Sequence, residues 1–310
     1  MRAITQSAFG DPSVLKVVDV DRPEPSYGQV LIKVGAAGVN PVDGAVRSGA
    51  YPLLGEPPYT IGWDVAGVVE LAGPGVSAFA PGDEVLGLLA FPGAGNAYAD
   101  YVLASPNEII HKPTGLTMEE AGALPLAGLT AWQALVGLAR VSAGQRVLIH
   151  AAAGGVGHLA VQIAKAGGAH VIGTARAEKH DFLRGLGADT LIDHTTADFV
   201  AEAGPVDVVL DLVGGEYGPR SAAVLKPGGV LVGAVGSNLG ITPEAAAEQG
   251  VRLAVQNVRP SAADLAQLAT LVETGRLKVH VGQVLPLAEA AKAHELISAR
   301  HTTGKIVLVP

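Results

Sequence analysis

Val147-Leu148-Ile149-His150-Ala151-Ala152-Ala153-Gly154-Gly155-Val156-Gly157 decides how this chain is read. An apolar run of strand length ends in a cluster of alanines and glycines, and helically spaced apolar residues follow at once, so that a helix is expected from Gly155 to Ala166. Small residues between a strand and a helix serve three ends: a tight bend, close approach of the backbone to a pyrophosphate, and close packing of helix on strand. Gly154 and Gly157 meet the second and third needs, and Ala152 stands where the first glycine would be. The stretch Ala153, Gly154, Gly155, Val156 and Gly157 is therefore the candidate pyrophosphate cradle, its N–H groups assisted by the helix dipole.

The next strand, His170–Thr174, indicates which dinucleotide fits. An NAD site carries an Asp or Glu at this strand end, about 20 residues on, to hold the ribose hydroxyls. Here the chain reads Thr174-Ala175-Arg176, with Lys179 close behind, and offers a hydroxyl and two cations in place of an acid. Those groups suit a 2′-phosphate, which makes NADPH the expected cofactor. Cations at the start of a helical turn oppose its dipole and need a compensating anion. Further strands are expected at Arg146–His150, Val206–Asp211, Val230–Val235 and Val251–Val255, alternating with helices. That alternation builds a doubly wound parallel sheet, an α/β fold. Gly214, Val235 and Ser237 fall at the ends of its later strands, where a cofactor crevice opens.

Upstream the texture differs. Val14–Val20, Gln29–Ala36, Asp64–Leu71, Glu84–Leu89 and Ala97–Leu103 read as short strands between turn residues, which suggests a partly closed β-barrel or sandwich. Near residue 117 a capping-box pattern, Thr117-Met118-Glu119-Glu120, opens a helical stretch, and Pro125 begins another helix. The C-terminal part reads as helix Ala262–Glu273, strand Val281–Leu285, helix Leu287–Ala299 and strand Lys305–Val309.

Composition narrows the class. With 310 residues, 49% of them hydrophobic and 16% charged, the chain can form two ordinary cores and is not a disordered type. A net charge of -8 disfavours nucleic acid and anionic membranes as partners. The absence of cysteine rules out disulfides and thiolate chemistry. The first residues carry no leader pattern, so a cytoplasmic location is expected.

The segments Gly38-Val39-Asn40-Pro41-Val42-Asp43, Gly62-Trp63-Asp64-Val65-Ala66-Gly67, Pro125-Leu126-Ala127-Gly128-Leu129-Thr130-Ala131, the glycine turn and Thr303-Gly304-Lys305-Ile306-Val307-Leu308 together resemble the medium-chain dehydrogenase/reductase superfamily, in its zinc-free NADPH:quinone oxidoreductase branch. The resemblance implies a GroES-like catalytic domain over residues 1–121, a Rossmann NADPH-binding domain over 122–256, and a segment, 257–310, that returns to the catalytic domain. It also implies an active site in the cleft between the domains, and a homodimer or higher oligomer. Zinc-dependent members carry their ligands at positions that are Asn40, Trp63 and Leu126 here, so no metal is expected. By the same resemblance Thr130 should lie beside the nicotinamide amide or the phosphates, and His194 stands where relatives carry a tyrosine that touches the 2′-phosphate, or else is a solvated turn histidine. Asn40 is a candidate amide donor to a developing enolate oxygen, or else a helix cap before Pro41. The resemblance also places a tyrosine from the loop after Arg47-Ser48-Gly49 near the nicotinamide, and Tyr51 fits: it could donate a hydrogen bond or proton, stack on a flat substrate, or else pack its loop beside Pro52. The expected activity is metal-free, NADPH-dependent reduction of quinones or α,β-unsaturated carbonyls by hydride transfer. An enoyl-thioester reductase and a non-catalytic NADPH-binding sensor or structural protein stay open as alternatives.

Overall fold

In the computed structural model, which describes residues 1–234 and 239–310, the chain forms two units. Met1–Leu129, Arg259–Thr274 and Val279–Pro310 make the first, and Thr130–Val258 with Gly275–Lys278 the second. Among the described residues no helix is long and apolar enough to cross a membrane.

The first unit begins with eight strands: β1 (Arg2–Gln6), β2 (Lys16–Asp19), β3 (Val30–Val39), β4 (Tyr59–Thr60), β5 (Asp64–Ala72), β6 (Glu84–Leu88), β7 (Tyr101–Ala104) and β8 (Ile109–His111). β1 lies between β2 and β4 in a small antiparallel sheet. β3 pairs antiparallel with β5 and, on its other margin, with β7, while β6 joins β5 to β8. The chain just before β7 runs along β1: Ile4 N–H donates to Tyr98 O at 2.8 Å and Asp100 N–H to Arg2 O at 2.9 Å. Those bonds tie the small sheet to the large one and partly close a barrel. They also explain why β7 starts at Tyr101 and not at Ala97: the preceding residues are paired elsewhere. After β3 comes the helix Pro41–Ser48, with proline in its first turn and Gly49 closing it at φ 80°, a backbone that favours glycine.

In the second unit β9 (Arg146–Ile149), β10 (His170–Thr174), β11 (Thr190–Ile192), β12 (Val206–Asp211), β13 (Leu225–Gly233) and β14 (Arg252–Val255) form one parallel sheet. Their order is β11-β10-β9-β12-β13-β14. The direction of winding reverses between β9 and β12, which makes that gap the switch point of a doubly wound sheet. Leu148, Ile172, Val209 and Leu231, all at zero exposure, join Phe199 in its core. Each such side chain contributes about 1.5–3 kcal/mol on leaving water. β14 is one edge of the sheet, with Val255 at 45% exposure.

The tail adds the helix Ala262–Glu273, β15 (Val281–Pro286), the helix Ala290–Ser298 and β16 (Lys305–Val309). β16 runs parallel to β15 and antiparallel to β3, with Ile306 opposite Val39, so the C-terminus completes the first unit's sheet.

Candidate functional site

In the second unit the glycine turn sits at the carboxyl end of β9. His150 continues β9, its N–H donating to Leu210 O at 3.0 Å. The left-handed residue of the turn is Ala151, at φ 48°, one position before Ala152. Ala152 is instead buried, and its N–H donates to Thr174 O at 3.0 Å, binding the turn to the end of β10. The helix then starts at Gly157, two residues later than the apolar spacing indicates, because Ala153–Val156 are spent in the turn. A Cβ on Gly157 would stand 2.7 Å from Ala152 Cα, so only glycine lets the helix begin so close to the strand. A Cβ on Gly154 would meet only Ala151 O, at 3.2 Å, and is otherwise open, which leaves room for a ligand against the backbone. Gly154 N–H donates to Ala151 O at 3.0 Å and His158 N–H to Gly154 O at 3.1 Å, so the N–H groups between them, of Gly155, Val156 and Gly157, are the candidate cradle for an anion. The residues therefore fit a pyrophosphate.

β10 and β11 end side by side, Thr174 opposite Ile192. Arg176 is exposed at the head of the turn Ala177–Lys179, Lys179 is half-buried, and His194 is exposed just past β11. Part of the compensating charge comes from the chain itself. Asp193 accepts from Ala177 N–H at 3.2 Å and from the Thr195 hydroxyl at 2.7 Å, and its bonds to Thr195 hold it below the usual carboxylate range. Glu178 lies 3.7 Å from Lys179 Nζ. Sequence reasoning overlooked Asp193 because it follows a neighbouring strand, one residue past the end of β11. Thr174 is buried and its hydroxyl sits 3.2 Å from His150 Nδ1. Beyond β12, Gly214 and Gly215 take positive φ, and Asp211 Oδ1 accepts from Val213 N–H at 2.8 Å and Gly214 N–H at 2.9 Å. Asp211 Oδ2 is buried with no hydrogen-bond partner among the described residues, and burial raises this carboxyl above its ordinary range. Thr130 is buried in the helix Pro125–Trp132. Val235 and Ser237 lie outside the described residues.

In the first unit a buried polar network joins β5, β16 and the helix Pro41–Ser48. Lys305 Nζ donates to Val39 O at 2.9 Å, to Asn40 Oδ1, and to Asp64 Oδ2 at 3.4 Å. Asn40 Nδ2 donates to Asp64 Oδ2 at 2.9 Å, and Leu126 N–H to Asp64 Oδ1 at 2.6 Å. Asp43 Oδ2 accepts from Asn40 N–H at 2.6 Å and from the Tyr98 hydroxyl at 2.8 Å. The Tyr98 hydroxyl is also 3.5 Å from His294 Nε2, and Arg47 meets the other His294 nitrogen at 3.3 Å. Burial pushes Asp43 up to about 7, raises Asp64 against the pull of Lys305, and pushes His294 down to about 3. Asn40 caps the helix and also has both ends of its side-chain amide engaged. Tyr51 differs: it is 50% exposed.

Lys305, Tyr98, Arg47 and His294 were not singled out from sequence. A lysine heading a strand reads as solvated, and the available signal was its place in the Thr303–Leu308 segment that carries the family resemblance. Trp63 is buried and its indole N–H donates to Gly93 O at 2.6 Å. Among the described residues no group of three or more His, Cys, Asp or Glu is arranged to hold a metal.

Residues 26–114 match the alcohol dehydrogenase GroES-like domain, and residues 186–308 match the zinc-binding dehydrogenase family. The rat quinone oxidoreductase is 37% identical, over the whole of this chain and 98% of its own length. Among solved structures, the quinone oxidoreductase from Coxiella burnetii superposes with a TM-score of 0.94 at 41% identity, covering 100% of this chain and 99% of that one. An Escherichia coli quinone oxidoreductase complexed with NADPH gives a TM-score of 0.92 at 30% identity, over 100% of both chains.

Proposed function

The chain belongs to the medium-chain dehydrogenase/reductase superfamily, in its quinone oxidoreductase-like branch, and from that premise we propose that it uses NADPH to reduce quinones or α,β-unsaturated carbonyls without a metal. The observation that carries the reading is the juxtaposition, at one end of one sheet, of an open glycine turn with Arg176, Lys179 and His194. The turn offers backbone donors to a pyrophosphate, Arg176 and Lys179 offer charge to a 2′-phosphate, and His194 offers a ring N–H. When bound, the nicotinamide supplies the hydride. The names of the relatives support a quinone-type acceptor.

The rest is done by the chain's own groups. At the positions where zinc-dependent members hold their metal stand an amide, an indole and an isobutyl group, none of which is a strong zinc donor. A developing enolate or hydroquinone oxygen then has to be met by hydrogen bonds. Tyr51 suits this best, because its ring is half exposed and its hydroxyl has no partner among the described residues. Asn40 is buried and its Nδ2 already donates to Asp64 Oδ2 at 2.9 Å, so it contributes only through its remaining, loosely held hydrogen, Nδ2 lying 3.5 Å from Gly38 O. Asp43 and Asp64 hold the frame. The edge at β14, with no further strand beside it among the described residues, supports a homodimer, since an apolar edge strand needs a cover. Light scattering checks it, and the mass of one 31.3 kDa chain at micromolar concentration would end that part of the reading.

The function is tested by following NADPH oxidation against a panel of small quinones, enones and enoyl thioesters. Turnover confined to quinones and enones supports the proposal. Turnover confined to thioesters, or none with any acceptor, overturns it.

A further inference from the structure

His150 is fully buried at the end of β9, and nothing in the proposed reaction uses it. Its ring meets Phe199 and Tyr217 edge-on, with centroids 4.6 and 4.8 Å away. Nδ1 lies 3.2 Å from Thr174 Oγ1 and Nε2 lies 3.0 Å from Ser221 Oγ. Burial, with Arg220 and His194 nearby, pushes the imidazole down to about 3, so it stays neutral at working pH. An apolar ring could pack between Phe199 and Tyr217 without having to satisfy two buried nitrogens and two hydroxyls. The polar ring does something an apolar one cannot.

What it does follows from where its partners sit. Thr174 ends β10, on one side of β9; Ser221 is in the helix Tyr217–Ala223 that follows β12, on the other side. One side chain thus spans the switch point directly beneath the glycine turn. Thr174 is held twice, its carbonyl by Ala152 N–H of the turn and its hydroxyl by His150. Two residues later the chain reaches Arg176.

We infer that His150 is a positioning residue for nucleotide selection: by holding the Thr174 hydroxyl it fixes the path from β10 into Arg176 relative to the glycine turn, and so favours NADPH over NADH. The inference rests on the NADPH reading above. The pyrophosphate cradle serves both nucleotides, whereas the end of β10 serves the one with a 2′-phosphate. Disturbing the His150–Thr174 bond therefore changes the ratio of the two affinities more than it changes NADH binding.

The two ring nitrogens can be tested separately. Asparagine places an amide near Nδ1 and keeps a bond to Thr174; glutamine reaches toward Nε2 and keeps only Ser221. The dissociation constants of NADPH and NADH are measured by fluorescence titration on the full chain, with melting temperature recorded alongside. His150→Asn should keep the wild-type preference within about 2-fold, while His150→Gln and Thr174→Val each reduce it by about 3- to 10-fold. Thr174→Val preserves shape, and because the Thr174 hydroxyl is buried against His150 and not offered to a phosphate, it decides the matter if a His150 variant fails to fold. Arg176→Ala is the control for the underlying reading. If it alters the preference while His150→Gln and Thr174→Val do not, the NADPH reading stands and the role of His150 falls. A wild-type protein that binds both nucleotides equally overturns both.

Discussion

Lys305 Nζ lies 3.4 Å from Asp64 Oδ2, an ion pair whose side chains are 3% and 0% exposed. Such a pair adds little or nothing to stability against an apolar alternative, but removing one partner leaves a bare buried charge, at a cost of about 3–5 kcal/mol. Lys305→Met should therefore lower the unfolding free energy by about 3 kcal/mol or more. Adding Asp64→Asn should recover part of the loss, since the orphaned group is then neutral. Urea unfolding of the four members of the cycle measures this, and strictly additive losses would show that the two charges are not coupled.

Asp43 carries a second consequence of the same burial. Desolvation pushes its carboxyl up to about 7 against the pull of Asn40 N–H, the Tyr98 hydroxyl and Lys305. From about pH 4, where an unfolded aspartate ionises, up to about pH 7, the folded state keeps a proton that the unfolded chain has lost. This group's contribution to stability is thus full at low pH and falls as pH rises through that window, by up to about 1.4 kcal/mol per pH unit. Asp43→Asn still offers an acceptor to both donors and removes the titration. Its unfolding free energy relative to wild type should improve steadily across the window, and parallel pH curves for the two proteins would refute the shift.

How much of this was legible in the sequence varies with the kind of signal. β10, β12, β16 and the helix Ala262–Glu273 occupy the residues that apolar periodicity marks, because each buries a regular face. β4, β8 and β11 escape the same reading: with two or three residues each, they are too short for a pattern and exist because a neighbouring strand supplies their bonds. The glycine turn could be read because its residue sizes are dictated locally. The partners of Asn40 could not, since Asp64 and Lys305 lie 24 and 265 positions away. Asp193 beside the Arg176 turn and His150 beneath Thr174 were hidden for the same reason, both being cross-strand relationships.

Gly157→Ala probes the turn itself. The added Cβ would fall 2.7 Å from Ala152 Cα, a distance real Cβ atoms do not show, so the helix must move off the strand. Because the N–H cradle moves with it, NADPH and NADH should both weaken, by about 10-fold or more and to a similar degree. Titration with each nucleotide checks this. Unchanged affinity would mean that the cradle lies elsewhere.

Arg176→Ala should behave differently. Charge-assisted bonds to a phosphate are worth about 1.5–3 kcal/mol, so NADPH binding should weaken by roughly 10- to 100-fold while NADH binding barely changes. The Asp193 carboxylate beside the turn tempers the attraction and should make the effect depend on salt. Equal losses for both nucleotides would remove Arg176 from the 2′-phosphate site.

The chemistry makes the last prediction. Hydride addition to a quinone or enone leaves negative charge spread over a conjugated system, which a few hydrogen bonds can stabilise; the alkoxide of a saturated alcohol concentrates that charge and ordinarily calls for a Lewis acid. Turnover should therefore occur with conjugated acceptors and fail with simple secondary alcohols and NADP⁺, and prolonged chelation should change neither rate nor melting temperature. Tyr51 and Asn40 should separate in kind. Tyr51 is half exposed, so Tyr51→Phe should lower kcat by about 10-fold or more while melting temperature and NADPH affinity hold. Asn40 is a partner of both Lys305 and Asp64, so Asn40→Ala should lower kcat by about 10- to 1,000-fold and reduce the melting temperature with it. If Tyr51→Phe leaves the rate intact, the ring serves only as a stacking surface and Asn40 must meet the acceptor oxygen. Robust oxidation of simple alcohols by the chelated protein would contradict metal-free reduction altogether.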